Sequence, residues 1–249
     1  MTGVEARVPG RGSRHGVLRA AIAMDVRLQR RYGFWHATAV VIALWIGVLR
    51  LVPDGLLGAA MPYLLMSDLQ FFLFFIAGAL FFEKGERTLF ALLTSPLRFG
   101  HYLTAKLVTM SALALVTCAV VVAVDYGTGF NAPALLGGVV FMALLMVLAG
   151  FITAPLFPSI SEWLLPSTLL LALVNAPIVD YSGLYPHLAF YLVPSQAPLL
   201  LLGAAFHQVE LAGWQVAYAI GYPIMWIVLL CLLARRVFHR HVIAREGGR

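Results

Sequence analysis

The chain has 249 residues, of which 61% are hydrophobic and only 11% charged, with a mean hydropathy of +0.91. Soluble domains carry roughly 25% charged residues, so this composition excludes a soluble enzyme. The net charge of +6 is no nucleic-acid footprint either, because the basic residues flank apolar segments and form no domain of their own.

Residues 1–15, rich in Gly and Arg, read as a disordered tail. The first 33 residues contain no apolar core region, so no signal peptide is expected and the first span directs insertion. "GVLRAAIAMDVRLQRRY", residues 16–32, has two readings. It is either an amphipathic helix on the inner membrane surface, with Leu18, Ala21, Ile22 and Leu28 on one side and Arg19, Arg27 and Arg30 on the other, or a solvated charge run. Asp25 falls in the apolar stripe, and the sequence offers no reason for it.

A hydrocarbon core of roughly 30 Å needs about 20 apolar residues per helix. Six stretches qualify: 34–52, 62–82, 103–124, 133–157, 163–179 and 214–234, the fifth being the shortest. Their continuous apolarity favours helices over barrel strands, which alternate and last about ten residues. Of the 17 Lys and Arg, all but Arg50 lie before span one, in the stretch joining spans two and three or, as Lys106, at the start of span three, or after span six. The positive-inside rule then puts both termini and that stretch in the cytoplasm, and the acids Asp54, Asp125, Asp180 and Glu210 on the outer face. Cys118 and Cys231 fall within spans, so neither a disulfide framework nor zinc spacing is available.

Two segments break the pattern of spans and short loops. Residues 180–213 are interrupted by Pro186, Pro194 and Pro198 yet too apolar for a solvated loop. They suit two short helices entering the outer leaflet and returning, with His207, Gln208 and Glu210 near the surface. An extra pair of short spans is the alternative. The other segment is "FFEKGERTLFALLTSPLRFGHYLTAK", residues 81–106. Thr88 can cap a short helix, Leu89, Leu92 and Leu93 form its apolar face, and Pro96 ends it. Gly85 gives the Glu83–Arg87 corner a flexible point. Such a helix at the foot of a span is a handle on which another protein can push.

These residues carry a family resemblance. Glu83-x-Gly85-Glu86-x-Thr88-Leu89-x-Ala91-Leu92, then Ser95-Pro96-Leu97, Tyr102 and Lys106, resemble the signature between spans two and three of ABC-2 type ABC exporter permeases. "DVRLQRRYGFW" and "YLVPSQAPLLLLGAAF" look closest to the fluoroquinolone-export permease branch. The resemblance covers nearly the whole chain, with a transmembrane domain over 16–234 and a basic tail over 235–249. It implies an all-α polytopic membrane protein of six transmembrane helices with an interfacial N-terminal helix, a cytoplasmic coupling helix and a re-entrant outer hairpin, in a bacterial plasma membrane. It also implies that Glu83, Gly85, Glu86, Thr88, Leu89, Leu92, Leu93 and Pro96 dock on a separate ABC-type ATPase subunit. A second permease half, identical or homologous, completes the path.

The sequence contains no G-x-x-x-x-G-K-[ST] phosphate loop, so ATP and Mg belong to that partner subunit and this chain is expected to bind no cofactor or metal. By the resemblance, spans two and five line the path, which places Asp68, Phe71, Phe72, Phe75 and Asn175 along it. A Phe-lined route suits a bulky amphipathic or aromatic small molecule, such as a drug or antibiotic. Carboxylates inside spans are rare and usually paired, and an Arg50–Asp68 pair is the expectation. A rhomboid-like protease would need G-x-S-x-G, and a phospholipid head-group transferase a run of aspartates; neither occurs. An ion-coupled transporter or channel using Asp68 and Asn175 is the alternative, although it leaves 83–106 without a task and shows no inverted repeat.

Overall fold

The computed structural model describes residues 14–86 and 99–238, and every described element is helical. The N-terminal helix α1 (Arg14–Arg31) meets α2 (Phe34–Leu49) at a bend of 66°. Gly33 stands at the corner with φ of 78°, a left-handed conformation that costs glycine little because it lacks a Cβ. The bend lets α1 cross the foot of the bundle and pack along α4 (Phe99–Asp125). Its buried row is Ala21, Asp25 and Gln29, while Arg19, Arg27 and Arg30 are exposed. Helical spacing therefore divides the faces as expected, but polar residues occupy the face that packs.

The centre of the bundle is α3 (Leu57–Gly85) crossed by α5 (Ala132–Thr153), the most extensive helix pair in the fold. In lipid the apolar surroundings offer no hydrophobic drive between helices, so close packing of small residues has to supply it. Gly150 does so at the crossing: a Cβ there would stand 2.5 Å from the Leu73 carbonyl oxygen and from Ile76 Cγ2. Asn131 caps α5 by accepting from the Ala134 N–H at 3.2 Å, with Pro133 in the first turn. The turn after α5 ends at Ser159, which accepts from the Glu162 N–H. That Ser-x-x-Glu capping box opens α6 (Ile160–Asn175), followed directly by α7 (Pro177–Tyr181).

From 182 to 213 the chain forms two short helical elements, a 3-10 helix (Leu188–Leu192) and the α-helix α8 (Gln196–Ala205). α8 is buried against α3, α5 and α9 (Gly213–Phe238). Irregular backbone among apolar helices needs partners for its carbonyls. Tyr218 and Tyr222 of α9 supply them, their O–H groups donating to the carbonyls of Tyr191 at 2.7 Å and Leu192 at 2.6 Å. The Ser195 O–H reaches the Val174 carbonyl at 2.6 Å, and Gln196 donates to Asp180 at 2.7 Å.

Among the described residues, five helical segments are long and apolar enough to cross a membrane, and a sixth is added if the bent α1–α2 pair counts as one span. The expected span at 34–52 is only 16 residues of helix, about 24 Å at 1.5 Å per residue. The expected span at 62–82 starts earlier, at Leu57.

One substitution tests the central crossing. Gly150→Ala pushes a methyl group against a backbone carbonyl that cannot rotate away, so it should destabilise the bundle by about 1–3 kcal/mol. Thermal unfolding in detergent should show the lower midpoint. An unchanged midpoint would mean that α3 and α5 do not cross this closely.

Candidate functional site

Three elements meet at the end of the bundle from which residues 87–98 depart: α1, the foot of α3 and the first turns of α4. Lys106 of α4 lies between two carboxylates, 2.6 Å from Asp25 Oδ1 on α1 and bonded to Glu83 Oε1 on α3. The Tyr102 O–H donates to Glu83 Oε2 at 2.5 Å, the Gln29 amide donates to Asp25 Oδ2 at 2.9 Å, and the Thr109 O–H donates to that same oxygen. Three of the four carboxylate oxygens thus accept a hydrogen bond, and the fourth, Asp25 Oδ1, faces the Lys106 ammonium as an ion pair. Glu83, Lys106 and Asp25 are 0%, 1% and 4% exposed, so the cluster is dry. A buried charge that is paired and well hydrogen-bonded persists, whereas the same charge alone would be strongly destabilising.

A looser ring of contacts surrounds this lock. Arg31 Nη2 is 3.0 Å from Glu86 Oε1, and the Tyr32 O–H donates to Glu86 Oε2 at 3.2 Å. Tyr32 stacks on Phe82 with centroids 5.1 Å apart. The Lys84 ammonium approaches the carbonyls of Phe157 and Pro158 at 3.5 and 3.4 Å, beyond the end of α5. Exposed pairs of this kind contribute about 0–1 kcal/mol each, so they orient the foot of α3 and leave the buried lock to hold it.

Of the eight residues expected to dock a partner, Glu83, Gly85 and Glu86 are described, and Thr88, Leu89, Leu92, Leu93 and Pro96 lie outside the described residues. Glu83 is turned inward onto Lys106, whereas Gly85 and Glu86 are exposed. Asp25, Tyr102 and Lys106 complete the lock. All three carried a signal in the sequence: Tyr102 and Lys106 as the end of the motif that begins at Glu83, and Asp25 as a lone acid in an otherwise apolar helix face.

The five expected path residues divide between faces of α3. Asp68 accepts from the Trp45 indole N–H of α2 at 3.0 Å and from the Cys118 thiol of α4 at 3.8 Å. Phe72 is buried edge-on against Phe75, which stacks on Phe34 at 5.3 Å. Phe71 is half-buried. Asn175 meets α3 through Gln70 instead, the two amides exchanging hydrogen bonds at 2.9 and 3.0 Å. Within one chain, Asp68 and Asn175 therefore do not converge.

The expected Arg50–Asp68 pair does not form. Arg50 binds Asp125 at the end of α4, with Nε 3.2 Å from Oδ1. The reason is depth: α3 begins at Leu57, which sets Asp68 about 16 Å along the helix, level with Trp45 rather than with Arg50 at the end of α2.

A bundle with five or six membrane-crossing lengths and a charge lock at one end defines a polytopic integral membrane protein. The chain belongs to the fluoroquinolones export permease protein family, whose family model matches residues 16–246. Two relatives from Mycobacterium tuberculosis, in the strains CDC 1551 / Oshkosh and ATCC 25618 / H37Rv, are each named a fluoroquinolones export permease protein. Each is 43% identical over 229 residues, covering 91% of this chain and 97% of the relative. No solved structure matches the chain. Membership of a permease family makes this a transport protein rather than an enzyme.

The lock predicts a specific pattern of damage and rescue. Lys106→Met leaves two buried carboxylates without their cation and should cost about 3–5 kcal/mol. Adding Asp25→Asn and Glu83→Gln removes both charges and should restore much of that loss, as read by folded yield and melting midpoint. Equal damage in the single and triple variants would dissolve the electrostatic account.

Proposed function

We propose that this chain is the membrane-spanning subunit of an ATP-driven exporter, moving a bulky amphipathic or aromatic compound out of the cell by alternating access. A separate ABC-type ATPase subunit hydrolyses ATP and pushes on residues 83–98, and a second permease half, identical or homologous, completes the path. The observation that carries this reading is the root of that stretch. Glu83 is held by Lys106 and Lys106 by Asp25, so a displacement of the foot of α3 is delivered to α1, α3 and α4 together. The absence of a phosphate-binding loop in the sequence supports an external source of ATP chemistry. The names of the relatives support fluoroquinolones, which are planar aromatic compounds, as the substrate class.

In this reading the termini and the 83–98 stretch face the cytoplasm, and α3 and α6 face the second half. Phe71 and the amide pair Gln70–Asn175 then lie nearer the shared path than Asp68 does. The ion-coupled alternative rests on Asp68, whose partners Trp45 and Cys118 are both neutral.

Two experiments separate these readings. Leu89→Asp or Glu86→Lys should leave the protein in the membrane but abolish co-purification of the ATPase or its stimulation by substrate; unchanged coupling in both variants would remove the proposed drive. Asp68→Asn should preserve ATP-dependent export, because an amide oxygen still accepts from Trp45. Export lost while assembly and ATPase stimulation remain intact would instead favour ion coupling.

A further inference from the structure

Between the first turns of α5, the C-terminal half of α8 and the start of α9 lies a cavity of about 610 Å³. Its size is within the roughly 300–1,000 Å³ of small-molecule sites. Ala134 and Gly137 of α5 and Ala204 of α8 are too small to fill it, and Leu201, Val216 and Ile220 form its apolar walls. A site for a polar compound places several convergent donors and acceptors around its ligand. Here the single polar side chain in the wall is Asn131, and its carbonyl oxygen is committed to the Ala134 N–H that begins α5. The remaining wall side chains are hydrocarbon, which matches an alkyl chain better than a drug with polar groups.

The cavity also has an exit. Val216 and Ile220 line it yet are 40% and 47% exposed, so it opens at the surface of α9. From there Ile224, Val228 and Leu232 continue the same i, i+4 ridge, each about half exposed. The ridge from Val216 to Leu232 rises about 24 Å, most of the thickness of a hydrocarbon core. α9 is also the candidate span least covered by its own chain, with 11% of its apolar window buried.

We propose that this cavity is a lipid site, the seat of one acyl chain of a membrane phospholipid whose remaining methylenes follow the ridge Ile224–Val228–Leu232. The bound chain wedges α9 away from the first turns of α5 and supplies the side-chain volume that Ala134, Gly137 and Ala204 lack. The site is independent of what drives transport, since it needs only that the bundle sits in a bilayer.

The test uses the full chain, extracted in mild detergent from vesicles of palmitoyl-oleoyl phosphatidylglycerol and measured by native mass spectrometry. The wild type should retain one phospholipid per chain. Ala204→Phe, which fills the seat, and Ile220→Ser, which strips its half-exposed rim, should each lower that retention roughly tenfold, the effect of removing about two methylene contacts. Because Ile220 is half exposed, its replacement leaves the packed bundle intact, and an unchanged size-exclusion profile verifies that. Ala217→Phe, on an exposed part of α9 outside the cavity, should retain lipid as the wild type does. A wild type without retained lipid, equal retention in all variants, or equal loss in Ala217→Phe would overturn the proposal. So would a change of oligomeric state on filling the cavity with lipid retention unaltered, which would assign the seat to a second copy of the chain.

Discussion

A single ammonium group fixes the foot of this bundle. Lys106 takes one carboxylate from α1 and one from α3 while itself belonging to α4, so three elements distant in sequence share one charge. Two acids for one base would be a poor bargain in a dry site if the remaining oxygens were bare. Tyr102, Thr109 and Gln29 cover them, which makes the cluster self-contained. The lock is consequently rigid in geometry and intolerant of single losses.

Elsewhere the fold depends on shape more than on charge. The α3–α5 crossing is close because Gly150 lets the Leu73 carbonyl approach, and α8 fits against α5 where Gly138 faces Leu202. Polar contacts elsewhere in the bundle use neutral partners: Gln70 with Asn175, and an indole and a thiol on the Asp68 carboxyl. The Gln70–Asn175 amide pair satisfies a donor and an acceptor on each side without the desolvation cost of an ion pair.

Much of this architecture was legible in the sequence. Hydropathy alone located the long helices, because a membrane span needs only length and apolarity, and the motif running from Glu83 to Lys106 pointed to the permease family. What escaped was set by pairing across distance. Asp25 had no visible purpose because its partner lies 81 positions later at Lys106. Asp68 was expected beside Arg50 because Pro62 read as the start of its helix. Proline is tolerated near a helix start, and α3 in fact begins five residues earlier, at Leu57. Pro198 likewise sits within the first turn of α8, so the prolines of 180–213 punctuate a buried helix as well as a loop.

The distance between Asp25 and Lys106 also bears on biogenesis. α1 is made before α2, α3 and α4, yet its buried acid has no counter-charge until Lys106 has been synthesised. At roughly 5–20 residues per second that interval is several seconds, during which α2 and α3 already occupy the insertion machinery. The buried acid of α1 therefore gains its counter-charge only once α4 has been made. A helix near the start of the chain is thus locked by a residue 81 positions further on.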